Sequence, residues 1–222
     1  MSRRLRTLVV ACGLILAACG SDGGSGPTAH VSFKGNSTCP STGTAANGAT
    51  PAPYDPMPPD TNGAAVGQAI DEMPHDHVAP GTQITYNHNP PTSGCHYSLA
   101  ADGGAPAPIL PGSYDRHIDP QYWVHNLEHG YVAVLYNCPS GCPTELAQLV
   151  AWRKQLPADP QGATCQTPIG YAKVIVLPWA MDKQFAAVSW DWYQGYDKLD
   201  MAAVQRFYDN HNGHSPEGLC VG

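Results

Sequence analysis

His125, Glu128 and His129 stand together in the run Val124-His-Asn-Leu-Glu-His-Gly130, and His-x-x-Glu-His is a spacing that can do metal chemistry. On a helix it puts both imidazoles and the carboxylate on one face, the arrangement in which inverzincin peptidases hold zinc beside a general base. On an extended backbone His125, Leu127 and His129 share one face and Glu128 takes the other. Gly130 and the β-prone run Tyr131 to Tyr136 follow at once, and Tyr122, Trp123 and Val124 precede, so the expectation is an extended segment with no room for a long helix. A third imidazole, His96, follows the turn Asn89-Pro-Pro-Thr-Ser-Gly94, where two prolines fix φ and the glycine accepts φ > 0. His77 and His88 lie in the same approach segment. The candidate ligands are therefore His96, His125 and His129, with Glu128 as fourth ligand or as the acceptor that fixes a histidine tautomer. Neutral imidazole suits zinc, copper and iron, and one zinc or copper ion is the expected cofactor. A hydrolase using metal-bound water follows only if one coordination position stays open. The competing expectation is a binding or scaffold module with structural histidines and with aromatic residues, Trp152, Trp179, Trp190 and Trp192 among them, lining a partner surface.

A second constellation is Leu135-Tyr-Asn-Cys138-Pro-Ser-Gly-Cys142-Pro143. Strand, Cys-x-x-x-Cys-Pro, helix resembles the copper site of Sco-type metallochaperones, and a helix N-terminus lowers thiol pKa values. A thioredoxin-like fold would need another helix between the strands starting at Ala172 and Phe185, for which the connection is too short, so a structural disulfide is the favoured fate. Setting aside Cys12 and Cys19, six cysteines remain as disulfide candidates: Cys39, Cys95, Cys138, Cys142, Cys165 and Cys220. They allow fifteen pairings, among which sequence does not choose. No Gly-x-Ser-x-Gly elbow, phosphate-binding glycine loop or dinucleotide fingerprint is present.

The elements that must position these groups begin after a long preamble. Arg3, Arg4 and Arg6 precede an apolar run that ends at Leu16-Ala-Ala-Cys19, too short to span a bilayer of about 30 Å. This reads as a lipoprotein signal peptide over residues 1–18 with Cys19 as the acylated new N-terminus. Its removal takes away three arginines and no acids, moving the formal charge from −7 to −10. That balance excludes nucleic acid as a partner and leaves the acyl chains as the membrane anchor. Residues 19–66 are rich in Gly, Ser, Pro and Ala and read as a disordered tether. Residues 67–222 form one domain. Within it Gln83 to Tyr86, Tyr131 to Tyr136, Ala172 to Leu177 and Phe185 to Trp190 read as strands. Thr144 to Gln155 and Leu199 to His211 read as helices, the second capped by Asp197 or Asp200, and residues 100–120 as a long loop. His211 and His214 are expected to be solvent-exposed or end-capping. The order gives an α+β fold, a mostly antiparallel sheet of four to five strands covered by two helices and bearing disulfides.

With Asn89-Pro-Pro-Thr-Ser-Gly-Cys-His96-Tyr97 and Val124-His-Asn-Leu-Glu-His-Gly130 both in place, the chain resembles a bacterial exported family known as domain of unknown function 3105. The resemblance runs from about His77 through Pro216-Glu217 and covers His96, His125, Glu128 and His129. It implies location and shared architecture more than a reaction: a membrane-tethered or secreted protein of the cell envelope, with the outer membrane favoured because Gly20 does not look like a retention signal.

Overall fold

The strand expected to be most central is Val-Ala-Val-Leu-Tyr, apolar at every position, which suits burial on both faces of a sheet. The computed structural model describes residues 66–100, 103–159, 165, 169–214 and 216. The expected signal peptide, Cys19, Cys39, Cys220 and all of the expected tether except Val66 lie outside them. In chain order the elements are β1 (Gln68–Ala69), β2 (His77–Val78), β3 (His96–Tyr97), β4 (Gly112–Ser113), α1 (Pro120–Glu128), β5 (Val132–Tyr136), α2 (Pro143–Gln155), β6 (Val174–Pro178), β7 (Phe185–Ser189), β8 (Trp192–Tyr196) and α3 (Met201–His211). No helix among the described residues is long and apolar enough to cross a membrane.

Six strands form one sheet in the order β1-β8-β7-β5-β6-β4, and β2 pairs with β3 separately. The fold is α+β as expected, but the sheet is mixed. β5 runs parallel to β6 through the α2 crossover, β6 runs parallel to β4, and the β5–β7–β8–β1 side is antiparallel. Alternation along β5 divides the core: Ala133 and Leu135 face one cluster with Trp123, Val124 and Leu127 of α1, while Val132, Val134 and Tyr136 face the other with Leu149, Val204 and Phe207 of α2 and α3. Three helices, rather than two, thus cover the sheet. Burying Val124 and Leu127 contributes about 1.5–3 kcal/mol each.

Several expectations change for physical reasons. Gln83 to Tyr86 is not a strand: Ile84 and Tyr86 pack half-buried on the core, but no neighbour supplies a ladder, and Tyr86 Oη donates instead to Cys95 O (2.9 Å). The stretch from 100 to 120 is not loop throughout, because Gly112 and Ser113 pair with Ile175 and Val176. β8 was not expected, being half-exposed and carrying Gln194 and Gly195, yet all five of its residues pair with β7. Asp200 caps α3, accepting from Ala203 N at 3.0 Å. His211 is not exposed: it continues the stripe of Val204, Phe207 and Tyr208, is fully buried, and its Nε2–H donates to Val66 O at 2.7 Å.

Burial pushes His211 down to about 4 from its ordinary 6.5. Between those values the unfolded chain takes up a proton that the folded protein refuses, so stability is full above pH 6.5 and is lost as pH falls toward 4. We expect urea midpoints of His211→Gln to show a pH dependence flatter than wild type by up to about 1.4 kcal/mol per pH unit between pH 6 and 4.5. Identical slopes would remove His211 as an acid-labile element.

Candidate metal centre

The segment expected to be extended is a helix, and the reason lies at its two ends. Pro120 occupies the first helical position, where its missing N–H costs nothing. At the other end Gly130 adopts φ +80°, its N–H donates to Leu127 O (2.9 Å), and Tyr131 N–H donates to Asn126 O (3.0 Å), a Schellman closure. The glycine that argued against a helix is its C-terminal stop. Nine residues suffice to put His125, Glu128 and His129 on one face, and Gln121 through Glu128 are all buried. Asn126, between the histidines, clamps the preceding loop by accepting from Ile109 N (3.0 Å) and donating to Ile109 O (2.7 Å). The buried Lys173 ammonium donates to His129 O (2.7 Å), a cation placed at the negative end of α1.

The second wall is the β2–β3 pair, whose parallel register sets His77 directly beside His96. Gly94 turns the chain into β3 at φ +125°, and a Cβ there would come within 2.9 Å of the Tyr86 ring. The Gly94 carbonyl accepts from His96 Nδ1 at 2.8 Å, and Tyr97 O accepts from His125 Nδ1 at 2.7 Å. A carbonyl only accepts, so both rings carry their proton on Nδ1 and turn Nε2 inward.

Around Glu128 these rings converge. His96 Nε2 lies 2.8 Å and His77 Nε2 3.8 Å from Glu128 Oε2, while His75 Nδ1 lies 2.7 Å from Oε1. One ligand atom from each of His77, His96, His125 and Glu128 falls within 4.8 Å of the others. His96, His125 and Glu128 are buried, whereas His75 and His77 are 45% and 40% exposed and form the solvent side. Trp190, fully buried at the β7–β8 turn, backs the cluster with its ring edge-on to His75 and His96, and its Nε1–H donates to Glu72 Oε1 at 3.0 Å.

Burial pushes His125 down to about 3 and His129 to about 4, with neighbouring imidazoles adding to the shift of each. Burial alone would raise Glu128, but the His75 and His96 rings outweigh it and hold the carboxyl well below the usual range. The hydrogen bond to Glu128 in turn raises His75. His125 and His129 are therefore held neutral beside the Glu128 carboxylate, and neutral imidazole and carboxylate are the forms that ligate a metal.

Of the residues read from sequence, His96, His125 and Glu128 are brought together. His129 adjoins them, its Nε2 3.0 Å from His125 Nε2. His77 joins the group although sequence reading placed it only in the approach segment, and His75 was not noticed; the alternation His75-x-His77 was the available signal. His88 lies elsewhere, against Tyr193 and Pro90 O. Cys138 and Cys142 are disulfide-bonded to each other, and Cys95 and Cys165 are also disulfide-bonded. Trp190 is core rather than surface.

These features define an α+β domain with a His/Glu cluster of metal-ligating geometry between a buried helix and a short parallel strand pair. The chain belongs to the family described as Protein of unknown function (DUF3105), whose model matches residues 77–222 and so includes all four clustered positions. No curated protein and no solved structure matches the chain.

Replacing Gly130 by alanine forces a side chain into φ +80° with its Cβ 3.0 Å from the backbone of Gly213. The expected loss is about 2 kcal/mol or more in chemical denaturation, since the left-handed strain alone is roughly 1–2 kcal/mol. An unchanged midpoint would show that the end of α1 is not fixed by this glycine.

Proposed function

We propose that this protein is an exported lipoprotein, anchored through Cys19 on the outer side of the cytoplasmic membrane and with the outer membrane favoured, that binds one transition-metal ion through His77, His96, His125 and Glu128. The observation that carries the reading is the mutual approach of four ligand atoms within 4.8 Å. Tetrahedral zinc with bonds of about 2.0–2.1 Å separates its ligands by roughly 3.4 Å, inside the range the cluster already spans. The donor set of three imidazoles and one carboxylate suits zinc or copper(II). His96 Nε2 and the Glu128 carboxylate face each other with their lone pairs at 2.8 Å, an approach that requires positive charge at the contact, as a proton or as a metal.

His129 has a different role in this reading. Its Nε2–H is the hydrogen that the His125 Nε2 lone pair accepts, so it holds the donor atom in place and yields it when an ion enters. His96 and the ligands on α1 are buried while His77 reaches the surface beside His75, so ions enter past His75 and His77.

Calorimetric titration of the purified protein with zinc and with copper(II) tests the proposal. One ion per chain is expected, with affinity lowered more than 100-fold in His96→Ala or His125→Ala. His129→Ala should lose no more than about 10-fold, the lower bound for an outer contact to a ligand. Absence of binding, or equal losses in His129→Ala and His125→Ala, would overturn the assignment of these four ligands.

A further inference from the structure

The Cys138–Cys142 disulfide lies at the C-terminal end of β5, while the histidine cluster lies beyond its N-terminal end. The two sulfurs are not equivalent. Cys138 is partly exposed at the strand end, whereas Cys142 is 4% exposed and is the residue that caps α2, its carbonyl accepting from Leu146 N (3.0 Å). Of the two residues only Cys138 is partly exposed and lines a groove, so an incoming thiolate would attack there rather than at the buried Cys142. If it does, the group that must leave is the Cys142 thiolate, and it leaves at the positive end of a 13-residue helix, where a thiolate is stabilised. A good leaving thiol speeds exchange. The bridge spans only four positions of the chain, so it constrains the unfolded state far less than a long-range bridge does, and stability alone is a weak reason for it.

A groove of about 400 Å³ is lined by Cys138 together with Pro139, Pro178, Trp179, His117 and Asp115. Its aromatic wall is fixed: Trp179 Nε1–H donates to Asn89 Oδ1 (2.7 Å), its ring is edge-on to Trp123, and His117 stacks on it with centroids 5.3 Å apart. Prolines and a rigid indole beside a partly exposed cysteine match a polypeptide segment better than a small thiol, which needs no wall.

We propose that Cys138–Cys142 is a redox-active disulfide that exchanges with a dithiol in a polypeptide seated in this groove. A partner thiolate attacks Cys138 Sγ, forming a mixed disulfide and releasing the Cys142 thiolate, which takes a proton from solvent. The partner's second thiolate then attacks its own sulfur in the mixed disulfide, releasing Cys138 as a thiolate. The partner leaves oxidised by two electrons, and Cys138 and Cys142 are left as two thiols; the reverse sequence oxidises them again.

The full protein is tested in two ways. In wild type, graded dithiothreitol followed by alkylation and mass spectrometry should label Cys138 and Cys142 at least 10-fold sooner than Cys95 and Cys165, with circular dichroism unchanged. In the variants, an oxidised peptide with two cysteines separated by two alanines should form a trapped mixed disulfide with Cys142→Ser, through Cys138, at least 10-fold faster than with Cys138→Ser. It should also react with Cys142→Ser faster than glutathione disulfide does. Simultaneous labelling of all four cysteines, or unfolding on reduction of this pair, would overturn the redox role. Equal rates in the two variants would overturn the assigned attack at Cys138, and equal rates for peptide and glutathione disulfide would overturn the polypeptide partner.

Discussion

A carboxylate buried at the C-terminal end of a helix is the constraint around which this domain is arranged. Glu128 is 2% exposed and sits where the aligned peptide dipoles already place negative charge, so both dehydration and the helix field oppose its ionised form. What reverses that balance is the pair of imidazoles at His75 and His96, at 2.7 and 2.8 Å. Neither ring belongs to α1. Each arrives on the segment 72–97, which must therefore be held against the helix by its own bonds.

That segment has little regular structure of its own, and its anchors are instructive. Ile70 N donates to Asp191 O and Asp191 N donates to Thr92 O, so the turn between β7 and β8 ties both ends of the approach segment to the sheet. Met73 N–H donates to the Ser93 hydroxyl, Gln121 of α1 donates to Thr82 O, and His125 itself donates to Tyr97 O. His125 of the cluster is thus also a structural bond between the two walls. Fixing its Nδ1 on a carbonyl would cost a bound metal nothing, because the other nitrogen is then the lone-pair atom and already aims inward.

The same dependence on distant partners explains what could be read in advance. His96, His125 and Glu128 were legible because their neighbours in sequence, a Pro-Pro-Thr-Ser-Gly turn and a His-x-x-Glu-His spacing, are local signals. The central strand and the helices α2 and α3 were legible through composition and caps. His77 was not singled out as a ligand, since its place beside His96 follows from a two-residue pairing across 19 positions that no local pattern announces. The conformation of α1 was misread because Gly130 serves equally well as a break before a strand and as the left-handed stop of a helix. Only the bonds from Gly130 and Tyr131 back to Leu127 and Asn126 distinguish the two. His211 was misjudged for the opposite reason: a polar type in a Gly- and Asn-rich neighbourhood looks exposed until the carbonyl of Val66 is known to lie against it.

β5 sets the distance between the disulfide and the histidine cluster. Five residues at about 3.3 Å per residue hold the end that carries Cys138 roughly 16 Å from the end that follows the histidine cluster. Thiolates are the stronger ligands for zinc and copper(I), so a pair of free thiols close to the imidazoles would compete for any ion bound there. Placed at the far end of a rigid central strand, a thiol pair would open and close without reaching an ion held by the histidine cluster. On the two proposals, the cysteine pair would answer to the redox poise around the protein and the histidine cluster to metal supply.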